Sequence, residues 1–216
     1  MSPHFPHVTS TSPRNEPQTP SHQTEGVWSI GRWCRYLGIM AVEPEDAYDR
    51  CMDPNHSAAG FDLTAPTLDQ RTSLEADLTP EESDVLLRHG TEAAFCGGLL
   101  DEHRDGVFTC RLCGLPLFLA GHKFESGTGW PSFTAPFDEE HLETKRDTSY
   151  GMVRTELLCA RCGSHQGHVF PDGPPPTRLR YCINSISLEF TPCDEPLPDK
   201  LGRGAPEGEP WPCRTE

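Results

Sequence analysis

Apolar positions are spread unevenly along the chain, and their spacing predicts where it folds. Val85, Leu86 and Leu87 give a short segment one apolar side, and the residues before it read as a helix start. Thr79 is a good N-cap, Pro80 occupies the first helical position where its missing donor costs nothing, and Glu82 completes a capping box. Gly90 suits the end of that helix. Beyond Gly106 the spacing changes to that of strands, over 107–110, 115–119 and 151–158. Ile186, Leu188 and Phe190 alternate with Ser187 and Glu189, the period of a half-buried strand. The pattern predicts a mainly β domain with a short helical start over 74–193.

Outside that span the pattern fades. Residues 1–73 open with Pro, Ser, Thr and His, with Pro3, Pro6, Pro13, Pro17 and Pro20 spaced through the start, and predict a poorly ordered extension. Trp28, Trp33, Tyr36, Leu37, Ile39 and Met40 make a small apolar patch there with no assigned role. Residues 194–216, rich in Pro, Gly and Glu, predict a disordered tail. Hydrophobic residues are only 35% of the 216, and there are 22 prolines, which also argues against a single core for the whole chain.

Charge and targeting features narrow the partners. A net charge of −15 with no run of Lys and Arg disfavours nucleic acid and anionic membrane surfaces. The best apolar run, 27–42, is interrupted by Arg32 and Arg35, so no membrane span is expected. The first 25 residues lack the basic and apolar regions of a secretory signal. Four of the ten cysteines form two C-x-x-C pairs, which without such a signal read as metal or redox sites in a reducing compartment, expected to be the cytoplasm.

Cys110 and Cys113, and Cys159 and Cys162, are each followed by a glycine that permits a tight turn. Two intervening residues let both thiolates of a pair face one tetrahedral ion, so together they predict one closed, structural Zn2+ site. Iron fits the same ligands. A redox dithiol would need a helix N-terminus at the cysteine, whereas these pairs sit at predicted β-turns. The 45 residues between the pairs require them to meet through the fold.

Three further segments remain: 127–133 around Trp130, 165–168 with His165 and His168, and 180–185 around Cys182. Taken singly, Cys182 reads as a buried structural cysteine, the histidines as solvated or metal-binding, and Trp130 as core. Asn184, two residues after Cys182 in a strand-like run, is expected on the same face.

Together the segments SGTGWPSF (126–133), GMVRTE (151–156), GHVF (167–170) and LRYCINS (179–185) resemble the B-type methionine sulfoxide reductases, as do the positions of the cysteine pairs. The resemblance covers about 74–190. It implies two antiparallel β-sheets, with Cys182 as catalytic nucleophile and Trp130 as the aromatic wall for the substrate methyl, Phe133 being placed with it in the substrate site. It also implies that His165 and His168 bind and help protonate the sulfoxide oxygen, and that Asn184 orients the site. Such chemistry needs a sulfoxide oxygen that is protonated or hydrogen-bonded, which histidine does near neutral pH, and an attacking thiolate, which nearby imidazolium favours. The result is a sulfenic acid at Cys182, which condenses with a second thiol.

The family's usual resolving cysteine is absent, since Thr128 stands at its place in the loop. Cys96, in a glycine-rich loop after the first helix, is the expected replacement, with Cys193, Cys34, Cys51 and Cys213 as other thiols. The resemblance implies oxidised proteins as substrate, with thioredoxin as reductant, and a monomer is expected. A zinc-ribbon binding module without catalysis remains the alternative function.

Overall fold

The computed structural model describes residues 55–204 and Pro206. The apolar patch around Trp28 and most of the expected extension and tail lie outside the described residues.

Among the described residues, two short helices come first. α1 (Leu68–Ala76), absent from the sequence expectation, is capped by Thr67, whose side chain accepts from the Gln70 amide while Gln70 reaches back. α2 (Pro80–Arg88) starts as expected, with Thr79 and Glu82 closing a capping box around Pro80. Its end differs from the expectation. The left-handed position belongs to His89, at φ 59°, rather than to Gly90. A contact explains why a non-glycine residue sits there: the His89 ring is held by Glu156.

Nine strands follow: β1 (Gly106–Cys110), β2 (Pro116–Leu119), β3 (Lys123–Phe124), β4 (Ser132–Phe133), β5 (Leu142–Asp147), β6 (Arg154–Cys159), β7 (His165–Phe170), β8 (Arg180–Ile183) and β9 (Leu188–Pro192). They form two antiparallel sheets, ordered β2-β1-β9 and β3-β4-β8-β7-β6-β5. Ile186, expected in the last strand, lies in a 3-10 turn over Ser185–Ser187 instead. The exposed edge β5 carries Glu143, Lys145 and Arg146, charges that discourage pairing with another chain.

The core lies between the sheets. Phe133 of the larger sheet stacks on Phe118 at 4.3 Å and meets Phe108 edge-on at 5.0 Å, both from the smaller sheet. Leu157 and Ile183 join them, fully buried. Gly167 permits an unusually close approach of β7 to β8, since a Cβ there would meet the Cys182 carbonyl oxygen at 2.1 Å.

The packed body is larger at both ends than the apolar pattern indicates. Phe61 is 4% exposed and packs edge-on against Phe137 and His141. Leu197 and Leu201 lie against the core, and Lys200 donates to the Arg111 carbonyl. Arg203 binds Asp62 and the Thr64 carbonyl, so the two flanking segments hold one another. Isolated apolar residues in Pro-rich surroundings leave no periodic trace, which hides such packing from sequence. Replacing Phe61 by Ala is expected to lower stability by about 3 kcal/mol through cavity formation. Urea unfolding measures this, and an unchanged midpoint would show that the 55–63 segment adds nothing to the core.

Candidate active site and metal centre

Strand register assembles the candidate site. Cys182 pairs with Ser132 of β4 on one side and His168 of β7 on the other, and His168 pairs with Glu156 of β6. Directly paired residues share a face, so these four side chains form one row across the larger sheet. Thr128 adds a hydroxyl 4.0 Å from the Cys182 sulfur. Cys182 is itself only partly buried.

Burial raises the Cys182 thiol above its ordinary range, opposed by the Arg180 charge and by hydrogen bonds from Thr128, Arg180 and Ser132. The sequence expectation of a thiolate favoured by imidazolium is therefore not met in the free protein. Arg180 was not singled out from the sequence, although a strand places residues i and i+2 on one face. Its guanidinium is oriented by a two-point pairing with Asp172 at 2.9 Å.

The two histidines differ. His165 is 1% exposed, and burial lowers its pKa despite a 2.7 Å contact between Nδ1 and Glu156 Oε1. His168 is held through Nε2 by Asp147 at 2.9 Å. Hydrogen bonds from Ser149 and His168 keep Asp147 far below the usual carboxylate range. The His165 and His168 rings lie 5.5 Å apart, edge to face.

Glu92 organises the other side of the site, and nothing in the sequence drew notice to it. Its carboxylate accepts from the Ser185 and Ile186 amides, its carbonyl accepts from the Trp130 indole at 3.2 Å, and its amide donates to Asn184 Oδ1 at 3.2 Å. Trp130 thus reaches its place by a hydrogen bond to the segment that leads to Cys96. The Phe95 amide donates to the Gly129 carbonyl at 2.8 Å, which lays that segment along the tryptophan loop. Cys96 is exposed. Cys193 is disulfide-bonded, so Cys96 and Cys182 are the free thiols outside the four-cysteine cluster among the described residues.

Two expected site residues, Phe133 and Asn184, are buried. Phe133 has no exposed surface, stacks on Phe118 and belongs to the core, so its ring is not open to a ligand. Asn184 is 3% exposed, and its amide group joins Glu92 to the Gln166 carbonyl, which places it in the frame of the site.

Behind the row, the four cysteines meet as expected. Cys110 ends β1 and Cys113 lies in the turn after it, Cys159 ends β6 and Cys162 lies in the turn after it, so the cluster joins the two sheets. Gly114 and Gly163 take positive φ of 75° and 71°, and their amides donate back to the Cys110 and Cys159 carbonyls. All four sulfurs are buried and within 4.8 Å of one another, close enough to hold a metal ion. A tetrahedral ion with thiolate bonds of ~2.3 Å places its sulfurs ~3.8 Å apart. The Cys110–Cys162 and Cys113–Cys159 separations of 3.7 and 3.6 Å fit that edge.

Residues 78–192 match the SelR domain family. A peptide methionine sulfoxide reductase MsrB of Caulobacter vibrioides is 70% identical over 148 residues, covering 68% of this chain and 93% of that protein. Proteins of the same name from Xylella fastidiosa and Pseudomonas putida are 60% and 54% identical, covering 67% and 59% of this chain and 93% and 95% of their own. Because the matched span takes in every strand of both sheets, the Cys182 row and the four-cysteine cluster, this chain belongs to the SelR domain family of B-type peptide methionine sulfoxide reductases.

Proposed function

We propose that this protein reduces methionine R-sulfoxide in oxidised proteins to methionine, with Cys182 as nucleophile. The observation that carries the reading is the row Ser132–Cys182–His168, a thiol with a carboxylate-bound imidazole as its cross-strand neighbour.

His168, held by Asp147, supplies a proton to the sulfoxide oxygen, and His165 helps hold that oxygen. The Cys182 thiol loses its proton as it attacks, with the Arg180 charge favouring the thiolate against burial. Oxygen passes to Cys182 as a sulfenic acid, and the substrate sulfur leaves as thioether. Trp130 gives the substrate methyl an apolar wall. With methyl and oxygen both fixed, only one epimer fits, in keeping with separate enzymes for the two sulfoxides.

The Cys96 thiol then attacks the sulfenic sulfur, releasing water and leaving a Cys182–Cys96 disulfide. Its exposure and its segment's contacts with the tryptophan loop favour it as the resolving thiol. A thioredoxin-type dithiol restores the enzyme by exchange. We assign one Zn2+ to Cys110, Cys113, Cys159 and Cys162. It has no open position for substrate, and its contribution is to stability. Thiol chemistry of this kind favours a reducing compartment such as the cytoplasm. Among the described residues no helix is long and apolar enough to cross a membrane.

A single turnover tests the reaction and the resolving thiol together. Reduced protein mixed with excess R-sulfoxide and no reductant is expected to form one methionine per chain and to yield the Cys182–Cys96 disulfide on peptide mapping. Cys96→Ser should also form one methionine but retain a dimedone-reactive Cys182 and lose turnover with thioredoxin. Normal thioredoxin-driven turnover by Cys96→Ser would remove Cys96 from the mechanism.

The pH dependence follows from the raised Cys182 thiol. Alkylation of Cys182 by iodoacetamide should increase with pH through a midpoint above that of an ordinary thiol. Arg180→Ala removes a charge that favours the thiolate, so its midpoint should move further up and alkylation at pH 7 should slow several-fold. A midpoint that stays in place would mean that Arg180 does not act on the sulfur.

A further inference from the structure

Besides the four cysteines, one other group of ligating side chains comes together among the described residues: His89, Glu156 and His165, with ligand atoms within 4.8 Å of one another. They reach this point from the cap of α2, from β6 and from β7. His89 Nδ1 and His165 Nδ1 both contact the same Glu156 oxygen, at 2.5 and 2.7 Å. Glu156 and His165 are buried, whereas the His89 side chain is 49% exposed. The group opens on a cleft of 560 Å3 whose lining also includes Asp147, His168 and Lys145.

We propose that His89, Glu156 and His165 form a second metal site, which takes a borderline divalent ion such as Zn2+ or Ni2+ from solution and thereby inhibits the reductase. Two imidazoles and a carboxylate make a donor set suited to such ions, and three protein ligands leave a position open toward the cleft. Metal–ligand bonds of ~2.1 Å at tetrahedral angles need ligand atoms ~3.4 Å apart. The present contacts are hydrogen bonds shorter than that by under ~1 Å, so an ion entering between the three groups must spread them. The half-exposed His89 ring has room to give way. Each neutral imidazole frees Nδ1 by carrying its proton on Nε2, so binding requires no redox change and no co-reactant. Arg88, Lys145, Arg146 and Arg154 also line the cleft and oppose a cation, so the site discriminates by its ligands and not by overall charge.

Inhibition rests on the proposed role of His165, because an ion that spreads the three groups moves its ring away from the Glu156 carboxylate that now orients it. Binding itself does not rest on that role. His89 is also the non-glycine residue that ends α2 in the left-handed conformation, which fixes the direction in which its ring leaves the helix.

The test uses full-length, zinc-loaded protein carrying Cys182→Ser, so that no active-site thiolate competes, and titrates it with Ni2+ by calorimetry. One saturable site is expected. Adding His89→Asn, a residue that tolerates the left-handed cap, should weaken Ni2+ binding at least tenfold, and Glu156→Gln should do the same. Equal Ni2+ affinity with and without these changes, in variants that keep their zinc and their unfolding midpoint, would overturn the site. In the protein with Cys182 intact, Ni2+ should inhibit R-sulfoxide reduction, and His89→Asn should raise the inhibitory concentration at least tenfold. Because the calorimetric arm uses Cys182→Ser, it stands or falls independently of the reductase reading.

Discussion

The junction of the two sheets at the four cysteines is the constraint on which the rest of the structure depends. Cys110 and Cys113 belong to the end of β1 and the turn after it, in the three-stranded sheet, and Cys159 and Cys162 to the end of β6 and the turn after it, in the six-stranded one. One ion bound by all four would fix the sheets against each other. The effect extends toward the site through Gln166. Its side-chain amide donates to Ser164 and lies 3.7 Å from the Cys110 sulfur, while its carbonyl accepts from both the amide and the side chain of Asn184. Hydrogen bonds through Gln166 thus link the four-cysteine cluster to the strands that carry His168 and Cys182.

Burial sets the terms for the reacting thiol. The row on the sheet desolvates Cys182, so the resting group is a thiol, and Arg180, Thr128 and Ser132 offset that effect only in part. A resting thiol suits the reaction proposed above, which also consumes a proton at oxygen, since thiolate formation and oxygen protonation are then linked in one step. The opposite side of the site is held by Glu92, whose backbone and side chain connect Trp130, Asn184 and the turn after β8. The Cys96 segment and Trp130 therefore share one anchor.

Local features were legible in the sequence. The capping box of α2, the two cysteine turns and the strand bearing Cys182 each depend on residues close in sequence. What escaped depends on register and on packing between distant segments. Glu156 and Asp147 look like ordinary acidic residues of strands until pairing across β5, β6 and β7 sets them beside His165 and His168. Phe133 follows Trp130 closely enough to suggest a shared role, yet in β4 it alternates with Ser132, which pairs with Cys182, and its side chain goes to the opposite face, into the core. The ends of the body were hidden for a similar reason, because Leu197 and Leu201 are single apolar residues in a polar, Pro-rich stretch, and Phe61 and Leu63 make too short a pair to mark an element.

The central claim is that Cys182 reduces one epimer of methionine sulfoxide. It is tested most directly by giving the purified, reduced protein the two separated epimers of a blocked methionine sulfoxide, with dithiothreitol as reductant, and counting the methionine formed. The account predicts turnover of the R epimer alone, abolished by Cys182→Ser. No turnover of either epimer by folded, zinc-loaded protein would contradict it and leave a zinc-ribbon binding module as the better description.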